Sequence, residues 1–372
     1  MTKIIDITKR VYSGGTPDTR KSEYWNGDIK WLSSGETRNN FIFDTDKKIT
    51  ELGVNNSSTK LASKGNIVMA CAGQGFTRGQ TSYLMDDMYI NQSVICIEPD
   101  DNKVDGLYLY YFFKNNYQLL RSLSNDHSSR GSITTAMIKD FEVNFPDIDI
   151  QKRISNILYS IDQKIELNNK INNNLYEISK QLLLKYLDEN KSSDEINISK
   201  FLNIFTGKKN ANETSPTGKY KFFSCAPESL LSDTYLCDSA AIIVAGNGAY
   251  TGRTRFYDGK FELYQRTYGL TLKDGFEKNN IYGLYVFMKT IFEPDKMGGT
   301  HGSAIPYIVL SDLTDYKLKY NKVEFDRFSN LVSGNIKMIQ ENEKSNEKLS
   351  ELRDTLLPKL MNGEIDLDNI EI

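Results

Sequence analysis

The sequence has very few of the residues that most often do catalytic or metal-binding work. It contains only two histidines, His127 and His301, and both lie in polar stretches. Because histidine is the usual general base and a frequent metal ligand, this scarcity argues against histidine-based catalysis. The cysteines form no Cys-x-x-Cys pair, which argues against a zinc cluster or a disulfide framework. They are Cys71, Cys96, Cys225 and Cys237.

Long apolar runs are also missing. No run approaches the 18 residues of a membrane-spanning helix, and the opening segment MTKIIDITKRVYSGG has no apolar signal core. We therefore expect a soluble, cytoplasmic protein with no membrane partner and with buried free thiols in a reducing compartment.

A strong net charge is absent as well, since the formal value is −3. The charge is uneven, however. Residues 200–319 hold fifteen Lys and Arg against twelve Asp and Glu, and residues 341–372 hold four against nine. The acidic tail offsets a mildly basic region, so whole-chain charge is a poor guide to a nucleic-acid partner.

What the chain does contain is an internal repeat. The segments IVMACAGQGFTRGQ (67–80) and AIIVAGNGAYTGRT (241–254) are both apolar runs that end in Gly-x-Gly. A constant offset of 173 residues relates Gly73, Gly75 and Gly79 to Gly246, Gly248 and Gly252, and relates Gln92 to Gln265. The offset predicts two copies of one domain.

Each copy is followed by a heptad-like helical pattern. Alternating three- and four-residue steps run from Ile154 to Leu182, and the same steps run from Phe328 to Leu356, 174 residues later. This spacing is typical of a narrow packing seam. Asn168 and Asn342 occupy the central position of the two copies. The alternative is that two amphipathic helices share their spacing by chance.

These patterns predict five regions: a first domain over 1–150, a spacer helix over 151–187, a second domain over 188–322, a second helix over 323–361, and a tail over 362–372. Within the domains, NIVMACAG, SVICIEP, AAIIVAG and YGLTLK are strand-like, whereas LYLYYFFKNNYQLLRSL and IYGLYVFMKTIF favour helices. The expected fold is mixed α/β.

If the two apolar seams pack on each other, the helices must be antiparallel. The product would be a pseudo-twofold coiled-coil spacer about 50 Å long at roughly 1.5 Å per residue, comparable with one turn of B-DNA at about 34 Å. We interpret Asn168 and Asn342 as register residues, close to one another, because a buried asparagine disfavours slipped pairings. The alternative is that both are solvated or merely tolerated.

Several segments resemble the DNA-specificity subunits of Type I restriction–modification systems. SGGTPDTRKSEYWNGDIKWLSSGE (13–36) resembles the start of the family's target-recognition domains, and GSAIPYIVLSDL (302–313) resembles the segment that leads out of one. QKRISNILYSIDQKIELNNKINNNL (151–175) and ELRDTLLPKLMNGEIDL (351–367) are similar to the family's central and C-terminal helices. The first copy lacks the Ile-Pro of the second, and the second lacks Ser-Gly-x-Thr-Pro.

The resemblance implies a function in sequence recognition. Each target-recognition domain would read one half of a bipartite double-stranded DNA site, and the helices would fix the spacing. Two modification subunits would dock and bring S-adenosylmethionine, and restriction subunits, when present, would bring Mg and ATP. This chain would hold no catalytic residue, metal or cofactor of its own.

Base recognition needs hydrogen-bonding groups on loops and cations for phosphates. In the first domain the candidates are Thr16, Arg20, Lys21, Arg78, Gln80, Thr81, Ser128, Ser129 and Arg130. In the second they are Lys208, Lys209, Asn210, Thr251, Arg253, Thr254, Arg255, Thr300, His301 and Ser303. For any single residue the alternative is a solvated surface side chain. Gln92 and Gln265 have a second possible role, which is to satisfy backbone groups in the core.

Two other functional classes compete. One is a DNA methyltransferase that acts alone, but the glycine loops lack a phosphate-loop lysine, and no Pro-Pro pair exists to form the Asn/Asp-Pro-Pro-aromatic motif of adenine methylation. The other is a coiled-coil interaction protein with no DNA role, which would leave the duplicated glycine-looped domains unexplained.

Overall fold

A computed structural model describes residues 2–73, 75–125, 131–292, 306–365 and 367. Residue contacts divide the chain into two compact units, which are described separately. Unit 1 consists of Met1–Ile165 and Lys348–Ile372, and unit 2 consists of Glu166–Glu347. The division falls within both long helices, so each unit contains one part of each.

Unit 1 is built mainly from short strands. They are β1 (Thr2–Lys3), β2 (Thr8–Ser13), β3 (Trp25–Leu32), β4 (Phe41–Ile42), β5 (Lys47–Ile49), β6 (Lys60–Ala62), β7 (Ile67–Ala70), β8 (Thr81–Leu84), β9 (Met88–Ile90), β10 (Val94–Pro99) and β11 (Glu142–Val143). A five-stranded sheet has the order β2-β10-β7-β8-β4, and a four-stranded sheet has the order β5-β3-β9-β6. Every residue of β7 is buried, as expected for an uninterrupted apolar strand at the centre of a sheet.

The helices of unit 1 are α1 (Glu51–Asn55), α2 (Gly106–Asn115), α3 (Tyr117–Asn125), α4 (Thr135–Asp140) and the first part of α5 (Ile148–Glu189). Helix α2 starts where the Asp105 side chain accepts a hydrogen bond from the Tyr108 amide. The single helix expected over LYLYYFFKNNYQLLRSL is interrupted. Asn116 leaves the helical conformation and its side-chain amide donates back to the Phe112 carbonyl oxygen, which separates α2 from α3.

Unit 2 repeats this plan with fewer strands. They are β12 (Glu195–Asn197), β13 (Leu202–Thr206), β14 (Tyr220–Phe223), β15 (Leu230–Ser232), β16 (Cys237–Ala245), β17 (Thr254–Leu263), β18 (Thr267–Leu272) and β19 (Lys317–Lys319). One six-stranded sheet has the order β13-β18-β16-β17-β14-β15. Its helices are α6 (Asn280–Ile291), α7 (Leu310–Thr314) and most of α8 (Lys322–Met361). The strands expected around 67–70, 94–99, 241–245 and 268–272, and the helix over 280–291, are confirmed.

Helices α5 and α8 pack antiparallel in both units. In unit 1, Leu357 of α8 joins the same apolar cluster as Leu158 of α5. In unit 2, the rings of Tyr186 on α5 and Phe328 on α8 stack at 5.5 Å between centroids. Further along the same seam the Asn335 side chain donates to the Ser179 hydroxyl. The mixed α/β fold with long antiparallel helices is therefore confirmed.

The predicted seam was half wrong. Ile154, Ile161, Asn168 and Phe328 are buried as expected. The intervening positions are not, because Leu331, Met338 and Leu352 are 57%, 49% and 48% exposed. The residues one position later, Val332, Ile339 and Arg353, are buried instead. In both helices the buried positions follow steps of four and then three residues, whereas the predicted order was three and then four. The buried stripe is therefore shifted by one residue at every second position. The predicted apolar residues at those positions form a second stripe on the surface.

Candidate nucleic-acid interface

Four loops of unit 1 are tied together by backbone hydrogen bonds at one end of its main sheet. The Gly15 amide donates to the Ile90 carbonyl oxygen at 3.1 Å, which joins the loop after β2 to the β9–β10 turn. Cys71 then links two more segments, since its amide donates to the Ser93 carbonyl and its carbonyl accepts from the Ile133 amide, both at 2.9 Å. The converging segments are 14–16, 71–80, 91–93 and 131–133.

Unit 2 brings together the same four loops. Two of its bonds match those of unit 1, and the third joins the corresponding first loop and turn with donor and acceptor reversed. The Gly246 amide donates to the Arg266 carbonyl oxygen and the Ile308 amide donates to the Gly246 carbonyl oxygen, both at 2.9 Å. The Gln265 amide donates to the Lys209 carbonyl oxygen at 2.9 Å. The converging segments are 207–210, 246–253, 264–266 and 306–308. Each unit thus presents one cluster of polar loops.

The matching bonds correct the alignment of the glycine loops. Gly79 and Gly252 are equivalent, because their amides donate to the Ala70 and Ala245 carbonyl oxygens. The residue equivalent to Gly246 is therefore Cys71, and the sequence-based match with Gly73 was wrong. The loop of unit 1 is two residues longer, so the offset of 173 holds only on the C-terminal side of the insertion.

Glycine begins each cluster for a steric reason. A β-carbon on Gly14 would lie 1.9 Å from the Ile90 carbonyl oxygen, and one on Gly207 would lie 1.9 Å from the Leu263 carbonyl oxygen. No side chain fits at this approach of two backbones. The glycine of the Ser-Gly-x-Thr-Pro segment and the glycine of FTGKKN therefore perform the same structural task.

The candidates near the start of unit 1 are all already engaged, with Thr16 half-buried and Arg20 and Lys21 exposed. The Thr16 hydroxyl bonds to the side chain of Gln92. The Arg20 guanidinium makes two bonds to the Asp18 carboxylate, at 3.0 and 2.9 Å, and those bonds lower the pKa of Asp18 to about 2. The Lys21 ammonium donates to the Tyr24 hydroxyl at 3.0 Å. Arg20 and Lys21 are still exposed enough to meet a phosphate.

The next group of candidates in unit 1 is more enclosed. Arg78 is buried, and a β-carbon on Gly131 would collide with its guanidinium, so this arginine fills the space under the fourth loop. Thr81 is buried and donates to the Gly79 carbonyl oxygen. Gln80 is half-buried. The structure therefore gives Arg78 and Thr81 roles in holding the loops.

In unit 2 the candidates also divide into supporting and exposed residues. The Lys209 ammonium donates to the Ser232 hydroxyl at 2.9 Å and to the Thr234 hydroxyl at 2.6 Å, so it points inward. The Thr251 hydroxyl donates to two carbonyl oxygens, and the Thr254 hydroxyl donates to the Gly252 carbonyl oxygen. Exposed positions are Lys208 and Asn210, with the Asn210 side chain accepting from the Gln265 amide group at 2.8 Å.

Arg253 and Arg255 have different surroundings. The Arg255 guanidinium donates to the carbonyl oxygens of Ser224, Ala226 and Pro227 and lies 4.9 Å from the centre of the Phe223 ring. Burial lowers its pKa to about 10. Arg253 is exposed and lies 5.7 Å from the centre of the Tyr250 ring. Arg255 thus holds the 224–227 loop, while Arg253 faces solvent.

Six candidates lie outside the described residues. They are Ser128, Ser129, Arg130, Thr300, His301 and Ser303. Among the residues the structure does describe, no three His, Cys, Asp or Glu side chains come together as metal ligands would, and no helix is both long and apolar enough to span a bilayer.

The comparisons with known proteins agree with the motifs. Residues 2–177 match a family model described as the Type I restriction modification DNA specificity domain. Over 417 aligned positions, the chain is 24% identical to the Type I restriction enzyme MjaIX specificity subunit of Methanocaldococcus jannaschii, covering 99% of this chain and 94% of that protein. The first half of the chain therefore carries the DNA-specificity domain of Type I restriction–modification systems, and the similarity to a specificity subunit extends over the whole chain. The family resemblance recognised in the sequence is thereby confirmed.

Two further similarities support the assignment. The chain is 28% identical over 189 residues to the EcoR124I/EcoR124II specificity subunit of Escherichia coli, covering 47% of this chain and 46% of that one. The crystal structure of the Type-I restriction-modification system S subunit from M. genitalium aligns with a TM-score of 0.61 at 17% identity, covering 97% and 95% of the two chains. That alignment shows the same fold.

The register asparagines of this specificity subunit are paired, but not with each other. Within unit 2, the Asn168 side-chain amide donates to Asn346 and the Asn342 side-chain amide donates to Asn172, both at 2.8 Å. Adding 174 to Asn168 gives Asn342, and subtracting 174 from Asn346 gives Asn172. The two hydrogen bonds are therefore equivalent in the internal repeat. The hypothesis that Asn168 and Asn342 lie close to one another is therefore corrected. In the antiparallel packing Asn168 pairs with Asn346, four residues after Asn342, and Asn342 pairs with Asn172, four residues after Asn168.

Sequence reasoning missed three features of the specificity subunit. Arg266, directly after Gln265 in unit 2, is an exposed cation on a converging loop. Phe76 and Tyr250 carry exposed aromatic rings on the equivalent glycine loops. In unit 1, the Arg353 guanidinium donates to the buried Asp162 carboxylate at 2.6 Å. The first two could have been found from the segments YQRT and GQGFTRG, whereas the ion pair joins residues that are 191 positions apart.

Proposed function

We propose that this specificity subunit binds double-stranded DNA through its two loop clusters, each of which reads one half of a bipartite site. The observation that carries the proposal is the duplication of the cluster itself: four loops converge once in each unit, and the backbone bonds that join three of them are equivalent. Two equivalent readers in one chain are what a two-part recognition sequence requires. Rigid loops on a sheet can hold donors and acceptors against base edges.

Exposed cations give each cluster a means of holding the DNA backbone. Arg20 and Lys21 supply them in unit 1, and Lys208, Arg253 and Arg266 supply them in unit 2. Phosphate contacts position a protein on the duplex, whereas hydrogen bonds to base edges select the sequence. Asn210 and Gln265 present amide groups suited to the second task.

The long helices act as the spacer in this proposal. The two asparagine pairs of unit 2 and the Asp162–Arg353 pair of unit 1 are polar contacts that a slipped pairing would break. Fixed register between α5 and α8 would then set the number of unread base pairs between the half-sites.

The second apolar stripe suits modification subunits as partners. Leu331 and Met338, seven residues apart on α8 in unit 2, keep about half their surface exposed, and so does Leu352 in unit 1. Apolar residues at heptad spacing on a helix surface are typical of a packing face for another helix. In this proposal the specificity subunit has no catalytic residues. The modification subunits carry S-adenosylmethionine, and restriction subunits, where present, carry Mg and ATP.

The test begins with the recognition sequence. Mapping methylated adenines in cells that express this chain with its modification subunits should yield two half-sites and their spacing. Binding of the assembled complex to that duplex and to a scrambled duplex is then measured over a salt series. Cognate binding should be about a thousandfold tighter or more. Equal affinity for both duplexes, or S-adenosylmethionine binding by the isolated chain, would contradict the proposal.

Two arginine variants examine the interface directly. Arg253→Ala should weaken binding and reduce the salt slope by about 0.9 if the guanidinium meets one phosphate. Arg255→Ala is the matched comparison, because it should weaken binding by releasing the 224–227 loop and should leave the salt slope unchanged. If Arg253→Ala binds like the parent chain at every salt concentration, Arg253 is not part of the interface.

A further inference from the structure

The loop of segment 71–80 projects an aromatic ring into solvent. Phe76 is 80% exposed, and it follows Gly73 and Gly75, whose φ angles are +133° and +72°. These conformations favour glycine and turn the chain sharply at this point. A phenyl ring left in water at the tip of a turn is unfavourable for the free protein, since aromatic side chains have a large area to bury.

The backbone that carries this ring is nevertheless held firmly. The Tyr117 hydroxyl of α3 donates to the Phe76 carbonyl oxygen at 2.6 Å. The Arg121 guanidinium, one turn later, donates to the Tyr117 hydroxyl at 3.0 Å and to the Arg78 carbonyl oxygen at 3.2 Å. The ring is therefore presented outward from a supported loop.

The equivalent loop of unit 2 also exposes an aromatic ring, one position later, where unit 1 has Thr77. Tyr250 is 47% exposed, and its carbonyl oxygen accepts from the Arg253 amide at 3.0 Å. The Gly248 amide donates to the Pro306 carbonyl oxygen at 3.0 Å and so anchors the other side of the turn. Gly248 has a φ of +85°, close to the value for Gly75. Both loop clusters thus carry an outward aromatic ring on the glycine loop beside their polar groups, and unit 2 also exposes Tyr307, at 39%, on its fourth loop.

We propose that Phe76 and Tyr250 are wedge residues, each of which packs its ring against a base that it helps to unstack within its own half-site. The inference rests on the proposed function, because it assumes that the loop clusters face DNA. A phenyl ring has no hydrogen-bonding group for a base edge or a phosphate, whereas the flat face of a base matches it in shape and polarity. Apolar side chains inserted at base steps are an established means of kinking a duplex.

A wedge adds sequence selection without a hydrogen bond. The free energy needed to open a base step depends on the step, and pyrimidine–purine steps open most easily. Phe76 would therefore favour half-sites with a flexible step opposite its loop. Tyr250 can do the same and can also donate a hydrogen bond, so the two half-sites need not follow the same rule.

The experiment uses the full chain assembled with its modification subunits and the duplex identified by methylation mapping. The adenine analogue 2-aminopurine, which becomes brighter when it is unstacked, is placed at successive positions. The methylated adenines will be bright in any case, because methyltransferases extrude their target base. With the parent chain we expect one further bright position in each half-site. Phe76→Ala should remove one of the two signals and weaken cognate binding about tenfold, in line with stacking of one base on one ring. Tyr250→Ala should remove the other.

Matched variants separate the wedge from other effects. Phe76→Trp should restore the signal, because a larger ring can still stack. Leu52→Ala removes an exposed apolar side chain from α1 of the same unit and should change neither fluorescence nor affinity. Melting temperatures should stay the same throughout, since Phe76 is outside the described apolar clusters.

Three results would overturn the inference while leaving the proposed function intact, provided that the parent chain still prefers its cognate duplex. The first is unchanged cognate affinity for Phe76→Ala. The second is a duplex whose only bright positions are the methylated adenines, which would indicate a contact such as one to a thymine methyl group without unstacking. The third is a loss of modification subunits from the Phe76→Ala complex, which would make the ring a protein contact. If the parent chain shows no preference for the cognate duplex, the proposed function itself has failed.

Discussion

Replacing Arg353 with methionine would leave a carboxylate stranded inside unit 1. Asp162 on α5 is 2% exposed, and its two oxygens accept from the Arg353 guanidinium and the Tyr111 hydroxyl, both at 2.6 Å. Burial and the nearby Asp162 raise the pKa of Tyr111, so its hydroxyl stays a donor. Methionine keeps much of the volume of the arginine side chain but removes its charge.

The size of the effect follows from burial. Removing one partner of a buried ion pair costs about 3–5 kcal/mol, because the remaining charge has lost its compensation. Tyr111→Phe removes a neutral donor and should cost about 1–3 kcal/mol. Replacing both charged partners, as Asp162→Leu with Arg353→Met, removes the buried charge altogether. That double variant leaves only the Tyr111 hydroxyl without its acceptor, so it should lose at most about 1–3 kcal/mol relative to the parent chain.

The chain contains a convenient reporter for this measurement. Both of its tryptophans, Trp25 and Trp31, lie in unit 1, with ring centroids 5.0 Å apart. Tryptophan fluorescence during urea unfolding therefore follows unit 1 alone. With a slope of about 2 kcal/mol per molar urea, Arg353→Met should lower the midpoint by about 2 M.

A control tests whether burial is the cause. Lys3 and Asp140 form an ion pair of similar length, 2.8 Å, on the surface of the same unit. Lys3→Met should leave the midpoint where it is, since exposed pairs contribute little. The reasoning is refuted if Arg353→Met behaves like Lys3→Met, or if the double variant is as unstable as the single one.

Two other outcomes are expected. Replacing Asn168 and Asn342 together with leucine should raise the melting temperature, because apolar side chains then fill the packing seam between the helices. The same change should broaden the distance distribution between spin labels at positions 177 and 337. An unchanged width would show that the asparagines do not fix the register. Burial lowers the pKa of Lys114 to about 8, so between about pH 8 and 10 the unfolded chain binds more protons than the folded one. The stability of unit 1 should therefore rise with pH over that window relative to Lys114→Met, measured as urea midpoints at pH 7.5 and 9.5, and equal changes in both proteins would contradict this account.

The repeat and the long helices could be predicted because both leave periodic signals in the sequence. The exact buried face could not. Leu331, Met338 and Leu352 have the same spacing as a packing seam, yet their surface stays open. Hydrophobic spacing indicates an apolar stripe on a helix, but it does not say which of two adjacent stripes packs against the other helix.

The roles of the loop cations were equally hidden. Arg78, Lys209 and Arg255 occur in polar, glycine-containing segments just as Arg253 does. The structure places the first three against inward groups or backbone carbonyl oxygens and leaves Arg253 exposed. A loop sequence shows that a cation is present, but its partners come from strands that are distant in the chain.

The ion pair of unit 1 breaks an otherwise regular duplication. At the offset of 174 residues, the counterpart of Asp162 is Ile336 and that of Arg353 is Ser179, so neither charge has a twin. A gene hybrid that inherits residue 162 from one parent and residue 353 from another keeps the asparagine contacts but can lose the match of acid to base. Asp162 and Arg353 must therefore be inherited or replaced together if the buried charge of unit 1 is to stay paired.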